Sequence, residues 1–217
     1  MAAPEARDVA RQARELGFDL GPAAAEPLAA YLGLLERWNR RTNLVGKQGW
    51  RSVLTHLAVD SLHLGPFLDT LALPDAPLTL DLGAGAGLPG LPLRCVWRKG
   101  HYHLVEPREK RAGFMRSALA RMKIPRTSVF QGRAEDVFDS LLTRQPADLI
   151  LSRAFMPWRE LLDFAAPMLS PQGVIVILAN EAPPSPAPAG WSPCSELTYS
   201  VHGSSRLFLA FTRSANA

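Results

Sequence analysis

The sequence predicts an α/β fold: a mostly parallel sheet covered on both faces, with a C-terminal antiparallel hairpin and an N-terminal helical extension. Three observations predict it. Strand-like and helix-like runs alternate four times beyond residue 74, the pattern of a parallel sheet with crossover helices. One of those strands ends in alternating glycines where a helix begins, and residues 1–73 carry helical spacing with no convincing strand. The chain therefore reads as a helical region, 1–73, packed on a main domain, 74–217, as one compact unit.

Taken in order, Leu28, Tyr31, Leu32, Leu34, Leu35 and Trp38 recur at helical spacing, and Val53, Leu54, Leu57, Leu62 and Leu64 follow less cleanly. Leu73-Pro74-Asp75-Ala76-Pro77 breaks the pattern. Strands are expected at Leu78 to Leu82, His101 to Glu106, Ser128 to Gln131, Asp148 to Ser152 and Val174 to Leu178. Helices are expected at Leu88 to Trp97, Arg108 to Met122 and Pro157 to Leu169, with a weaker one at Ala134 to Leu142. The proline-rich stretch Ala182 to Pro193 reads as a loop, because proline cannot feed a central ladder. It leads to a hairpin, Glu196 to Val201 and Arg206 to Phe211, turning at His202-Gly203-Ser204-Ser205.

With 217 residues, 47% hydrophobic and 20% charged, the composition is that of a globular protein and excludes collagen, disorder and disulfide-rich scaffolds. Cys95 and Cys194 are too few for a zinc site or a disulfide framework, so no metal is expected. No apolar stretch reaches the ~18 residues of a membrane span, and the charged start is no signal peptide. The expectation is a cytoplasmic protein without a membrane partner. The net charge of +4 hides an asymmetry: the basic surplus lies in residues 1–133, and residues 134–217 are slightly acidic. Clustered basic charge is the footprint of a polyanion.

Leu80-Asp81-Leu82-Gly83-Ala84-Gly85-Ala86-Gly87-Leu88-Pro89-Gly90 is the most informative segment. Its glycines let backbone turn tightly and approach a ligand, and Pro89 suits the first helical turn. Gly85 to Gly90 also fits the dinucleotide pattern, so a nicotinamide or flavin coenzyme is the competing ligand. Asp81 argues for S-adenosylmethionine instead: a carboxylate two residues before the first glycine would repel a pyrophosphate and attract an ammonium and a sulfonium. Glu106, at the next strand end, is placed for a ribose diol in either case. Gly132-Arg133-Ala134-Glu135-Asp136 follows the third strand, where it either reads adenine or caps the next helix.

These residues, with Trp38-Asn39, Asn43-Leu44, Asp60-Ser61-Leu62, Lys110-Arg111 and Ser152-Arg153-Ala154-Phe155, resemble the bacterial small-subunit rRNA guanine-N7 methyltransferases, the RsmG or GidB family. The resemblance spans roughly residues 35–173. It implies a Rossmann-like S-adenosylmethionine-dependent methyltransferase fold and transfer of the methyl group to N7 of a guanosine in the decoding-site loop of 16S rRNA. The expected partner is 16S rRNA, free or in the 30S subunit, and the chain itself is expected to be a monomer. Carried over by position, Gly83, Leu88, Ala134, Glu135 and Arg153 resemble cofactor contacts, and Glu106 the family's acidic residue. With Asp81, Gly85 and Gly87 these form the expected cofactor-binding set.

Guanine N7 attacks through an in-plane lone pair, so no general base is needed and Arg153 is expected to position rather than to move protons. Phe155 and Trp158 are candidates for stacking a base or for the core. Met115, Ala118, Leu119 and Met122 form a core stripe. Arg37, Arg40, Arg41, Arg116, Lys123 and Arg206 are candidates for RNA phosphates, with Lys47, Arg51, Lys110 and Arg121 as lesser ones. As a structural alternative, Arg153 would pair with Asp148 or Glu135. Three positions depart from the family's pattern. Leu57 stands where it has His, with His56 one residue earlier; Asn180 stands near its Lys-Gly, and Ser205-Arg206 replaces its Arg-His. They motivate one alternative, a catalytically impaired homologue that binds donor and rRNA. A small-molecule methyltransferase is the other.

Overall fold

Central strands of a doubly covered sheet must be apolar on both faces, and Leu78 to Leu82 satisfies that condition: all five residues are buried. In the computed structural model, which describes residues 3–46, 48–141, 145–181 and 187–214, this strand is β1. It pairs in parallel with β2 (His101–Val105) on one side and β4 (Ala147–Arg153) on the other. Next to β2 runs β3 (Thr127–Phe130), and next to β4 runs β5 (Leu169–Ala179), both parallel. A hairpin of β6 (Trp191–Val201) and β7 (Ser204–Arg213) closes the sheet, β7 antiparallel to β5. The order is β3-β2-β1-β4-β5-β7-β6. Strand order reverses at β1 and β4, so their carboxyl ends form the crevice where open α/β sheets bind ligands.

The helical extension comprises α1 (Ala6–Glu15), α2 (Pro22–Thr42), α3 (Trp50–Val53) and α4 (Val59–Asp69). Between α3 and α4 the backbone makes a π-helical turn, Leu54–Ala58, a device that recurs at functional sites. Leu28, Leu32 and Leu35 of α2 join Phe114 and Met115 of α6 (Glu109–Met122) and Leu149 of β4 in one apolar core, so one face of the sheet is covered jointly by both regions. The opposite face packs on α7 (Val137–Ser140) and α8 (Trp158–Ala165), through Val137, Leu161 and Leu162. No helix among the described residues is long and apolar enough to cross a membrane.

Several expected boundaries move. The helix after the glycine loop, α5, starts at Gly90 and spans Gly90–Val96, with Pro89 just before it. The expected helix Pro157 to Leu169 ends at Ala165; Pro167 lies in a 3-10 turn and Leu169 already pairs with Ala147. The weak helix from Ala134 opens as a 3-10 turn, Ala134–Asp136, before α7, and its expected end, Leu142, lies outside the described residues. Of the expected loop, residues 182–186 lie outside them too, while β6 begins at Trp191 and carries Pro193 beside a register shift. An edge strand tolerates that proline, as a central one would not.

Arg94 is a buried cation that sequence reading did not single out. Its Nη1 donates to the carbonyls of Trp97 and Lys99 at 3.1 and 2.8 Å and its Nε to Thr127 Oγ1 at 3.0 Å, tying α5, the following turn and β3 together. Burial pulls its pKa down to about 10.

Candidate active site

β1 delivers the chain at Leu82 into Gly83, whose φ of +72° is a conformation glycine supplies without strain. A side chain there would also collide with the Phe155 ring, 2.7 Å from the position of a Cβ. The loop is stitched from three directions. Gly83 and Ala84 N–H donate to Val105 O at 3.1 and 3.0 Å, Gly85 N–H donates to Glu106 Oε2 at 3.0 Å, and Tyr31 of α2 donates its hydroxyl to Ala86 O at 3.0 Å. Over this loop opens a crevice of about 260 Å³. Gly83, Gly85 and Leu88 form one side of it, Arg153 and Ala154 another, and Leu44, Val45 and Leu57 of the helical region the third. Gly87 is buried beneath the loop, outside that lining.

Asp81 is not at the rim. Its carboxylate is 1% exposed, accepts the Tyr102 hydroxyl at 3.1 Å and the Gly90 N–H, and is pushed up to about 7 by burial. A Cβ at position 90 would lie 2.4 Å from Asp81 Oδ2, so only glycine fits that approach. The expected rim position of Asp81, facing a pyrophosphate directly, is therefore corrected: this acid is buried and holds the start of α5 from below. Glu106, 3% exposed, lies at the end of β2 as expected. Its Oε1 accepts Arg108 N–H at 2.9 Å, its Oε2 takes Gly85, and Arg111 Nη1 stands 4.0 Å away. Ala134 is buried in the core at the end of β3 and Glu135 is exposed beside it; neither lines the crevice. Asp136 accepts Arg133 N–H at 3.2 Å there, the capping arrangement.

Arg153 closes β4. Its partner is neither Asp148 nor Glu135: Nη1 lies 3.3 Å from Asp60 Oδ2 and donates to Leu57 O at 3.4 Å. Asp148 instead accepts Leu78 N–H at 2.8 Å. Asp60, 3% exposed on α4, also receives Arg206 Nη1 at 2.5 Å and the Tyr199 hydroxyl at 2.9 Å. Arg206 is thereby corrected as an RNA-phosphate candidate, since it is spent on a buried carboxylate inside the protein. Burial and the neighbouring Asp60 raise the Tyr199 pKa well above its ordinary value. The next residue, Ser61, donates to Pro89 O at 2.8 Å. Adjacent residues of α4 thus hold the end of β4 and the end of the glycine loop.

Asp60, Tyr199, Tyr31 and Tyr102 are site residues that sequence reasoning missed as such. Asp60-Ser61 stood among the family-like motifs without a role, and nothing local marked the tyrosines. Leu57, at the first departure, lines the crevice, whereas His56 points to the hairpin turn and stacks on His202 at 4.5 Å. Asn180 is exposed just past β5, and Ser205 is exposed in β7 opposite Ser200. Phe155 packs on Phe164 at 5.9 Å as well as on Gly83, and Trp158 stacks on Phe211 at 5.9 Å, which places both partly in the core. Arg37, Arg40 and Arg41 are exposed on α2 and Lys123 is exposed just past α6, while the exposed Arg116 donates to Gln131 at 2.8 Å. Lys47 lies outside the described residues.

The profile of the family described as rRNA small subunit methyltransferase G (GidB) matches residues 24–185. A ribosomal RNA small subunit methyltransferase G from Nitratidesulfovibrio vulgaris (strain DP4) is 52% identical over 202 residues, covering 93% of this chain and 91% of its own. The protein of that name from Oleidesulfovibrio alaskensis (strain ATCC BAA-1058 / DSM 17464 / G20) is 44% identical over 208 residues, covering 91% and 90%. The solved structure of an MtNAS variant in complex with S-adenosylmethionine has a TM-score of 0.60 at 15% identity, covering 96% of this chain and 78% of that one, a likeness of fold. Because the profile takes in the glycine loop, the Asp60-Ser61 pair and Arg153, this chain belongs to the rRNA small subunit methyltransferase G family.

Proposed function

We propose that the chain transfers a methyl group from S-adenosylmethionine to N7 of a guanosine in the decoding-site loop of 16S rRNA, acting as a cytoplasmic monomer on free rRNA or the 30S subunit. Family membership supports the reaction class. The observation in the structure that carries the reading is Arg153, pinned by Asp60 at the end of β4 and facing the glycine loop across the crevice.

The donor set suits S-adenosylmethionine. Gly83 and Gly85 present backbone without side chains, Glu106 stands beside Gly85 for hydroxyl groups, and Arg153 offers a guanidinium for a carboxylate or phosphate. When bound, S-adenosylmethionine supplies an electrophilic methyl group on a sulfonium. The protein's task is then to hold the guanine, since N7 needs no proton removed, and orientation alone can supply ~7–11 kcal/mol of a barrier. Among the described residues nothing accepts from Arg153 Nε or Nη2. Those donors are free for the guanine edge or a phosphate, and a guanidinium cannot act as the base. Leu57 and Leu88 line the crevice beside Arg153 and offer it apolar walls.

With labelled S-adenosylmethionine, methyl transfer is expected to 30S subunits or 16S rRNA, at a single guanosine that mass mapping places in the decoding loop. Transfer to free nucleosides or small molecules alone would refute the reading, as would donor binding with no transfer to any RNA.

A further inference from the structure

Apart from the crevice, a groove of about 580 Å³ opens between the C-terminal halves of α2 and α6. Leu34 and Trp38 form its floor, and Trp38 is anchored edge-on against Phe114 at 5.6 Å. Arg37, Arg40 and Arg41 from α2 and Arg121 from α6 form its walls. None of these four arginines makes an ion pair among the described residues.

This arrangement is unfavourable for the isolated protein. Arg37 stands three and four residues before Arg40 and Arg41, and like charges at those spacings cost ~0.2–0.5 kcal/mol per pair. The C-terminal ends of α2 and α6 offset part of this, because Arg40, Arg41 and Arg121 lie in last turns. Each helix end carries only about −0.5 charge against four full positive ones. Glu36, next to Arg37, is buried and pairs with none of them. Among the described residues no carboxylate pairs with this surplus, which suits a polyanionic partner.

The groove also has a direction. Thr42 ends α2 and lines the groove, while Leu44 and Val45 line the crevice. Two or three residues of chain span at most ~10 Å. Asn39 holds this connection by accepting Val45 N–H at 3.1 Å and donating to Gly46 O. At its other end the groove adjoins a depression that shares Arg37 and Arg121 but is lined further by Ala3, Ala29 and Glu26, so positive charge rises toward the crevice.

We infer that the α2–α6 groove binds the sugar–phosphate backbone of RNA adjoining the nucleotide seated in the crevice, its four arginines taking successive phosphates. This rests on the reading of the chain as an RNA methyltransferase and adds a second, base-independent site to it. Binding through the groove holds substrate before and after transfer alike, so it belongs to substrate affinity and not to turnover.

The test compares wild type with Arg41→Glu/Arg121→Glu and with Arg41→Lys/Arg121→Lys, using protein-free 16S rRNA and 30S subunits. For the charge-reversed protein, RNA affinity is expected to fall at least tenfold and its salt dependence to flatten by about 0.7 for each phosphate left without its arginine. Donor affinity and turnover at saturating RNA stay within twofold, and the lysine variant stays near wild type. Unchanged RNA affinity and salt slope, with donor binding intact, overturn the inference. Loss confined to 30S subunits, with protein-free rRNA bound as before, also overturns it in favour of a ribosomal protein partner. Groove-dependent RNA binding by a wild-type protein that transfers no methyl group supports the groove and refutes the proposed reaction instead.

Discussion

The two sides of the crevice solve the same problem, a buried carboxylate near a strand end, in opposite ways. Under the glycine loop, Asp81 and Glu106 are met by a phenol and by backbone N–H groups, and among the described residues no cation comes closer than 4.0 Å to Glu106. At the end of β4, Asp60 is met by two guanidinium groups and a phenol. The first side is satisfied by dipoles, so it fixes shape. The second carries one negative charge against two positive ones, and the unspent donors of Arg153, a quarter exposed at 25%, face the crevice. Shape on one side and charge on the other is the division of labour expected of a site that must hold a fixed donor and capture an anionic strand.

The largest effect is expected from breaking the charged side. Asp60→Ala leaves Arg153 and Arg206 facing each other without their shared anion, and removing one partner of a buried ion pair costs ~3–5 kcal/mol. Chemical denaturation should register that loss. Arg206→Ala should cost less, because Arg153 and Tyr199 remain on Asp60. A double-mutant cycle separates positioning from mere stability. If Asp60 acts on turnover through Arg153, then Asp60→Asn lowers kcat in wild type and has no further effect in Arg153→Ala; additive losses would show that the pair is only structural.

The dipole side is probed by pH. Asp81 rises from an ordinary value of 3.8 to about 7 in the folded protein. Between those values the folded chain keeps a proton that the unfolded chain releases, so this group's contribution to stability declines as pH rises through that window. Asp81→Asn removes the titration while retaining an acceptor for Tyr102. Its stability relative to wild type should therefore improve between pH 5 and pH 7 by ~2–3 kcal/mol, at about 1.4 kcal/mol per unit. Parallel stability profiles would refute the burial account. Donor affinity of the variant should stay within about fivefold, or ~1 kcal/mol, because Asp81 acts through loop shape; a complete loss of binding would restore a direct electrostatic role.

What was legible in the sequence follows the same division. β1 matches its expected residues because a short apolar run bounded by proline and glycine has one way to sit in a parallel sheet. The glycine loop was legible for a related reason: its chemistry is local. β5 and β6 start earlier than expected because Leu169 and Trp191 are recruited by pairing partners, Ala147 and Arg213, that lie far along the chain. The charged side was hidden for the same cause. Arg206 and Asp60 are 146 residues apart, and no periodicity joins them. Basic composition likewise announced a polyanion partner, yet only helix packing decides that Arg121 joins Arg37, Arg40 and Arg41 while Arg206 turns inward.

One chemical change made on each side gives the smallest and cleanest contrast. Tyr31 and Tyr199 each spend a hydroxyl on one acceptor, a neutral carbonyl at Ala86 and the carboxylate of Asp60. Tyr31→Phe strands the Ala86 carbonyl beneath the loop, at ~1 kcal/mol for a neutral hydrogen bond. Tyr199→Phe removes a charge-assisted bond, though two guanidinium groups still cover Asp60, so its cost should also stay near ~1 kcal/mol. Stability alone will not separate them, but ligand affinity should. Tyr31→Phe loosens the loop and is expected to weaken donor binding several-fold while leaving RNA affinity unchanged. Tyr199→Phe is expected to leave donor affinity unchanged and to alter KM for RNA through Arg153. Calorimetry with S-adenosylmethionine and RNA titration of both variants check the crossing; if both move the same ligand by the same amount, the crevice does not divide into a shape side and a charge side.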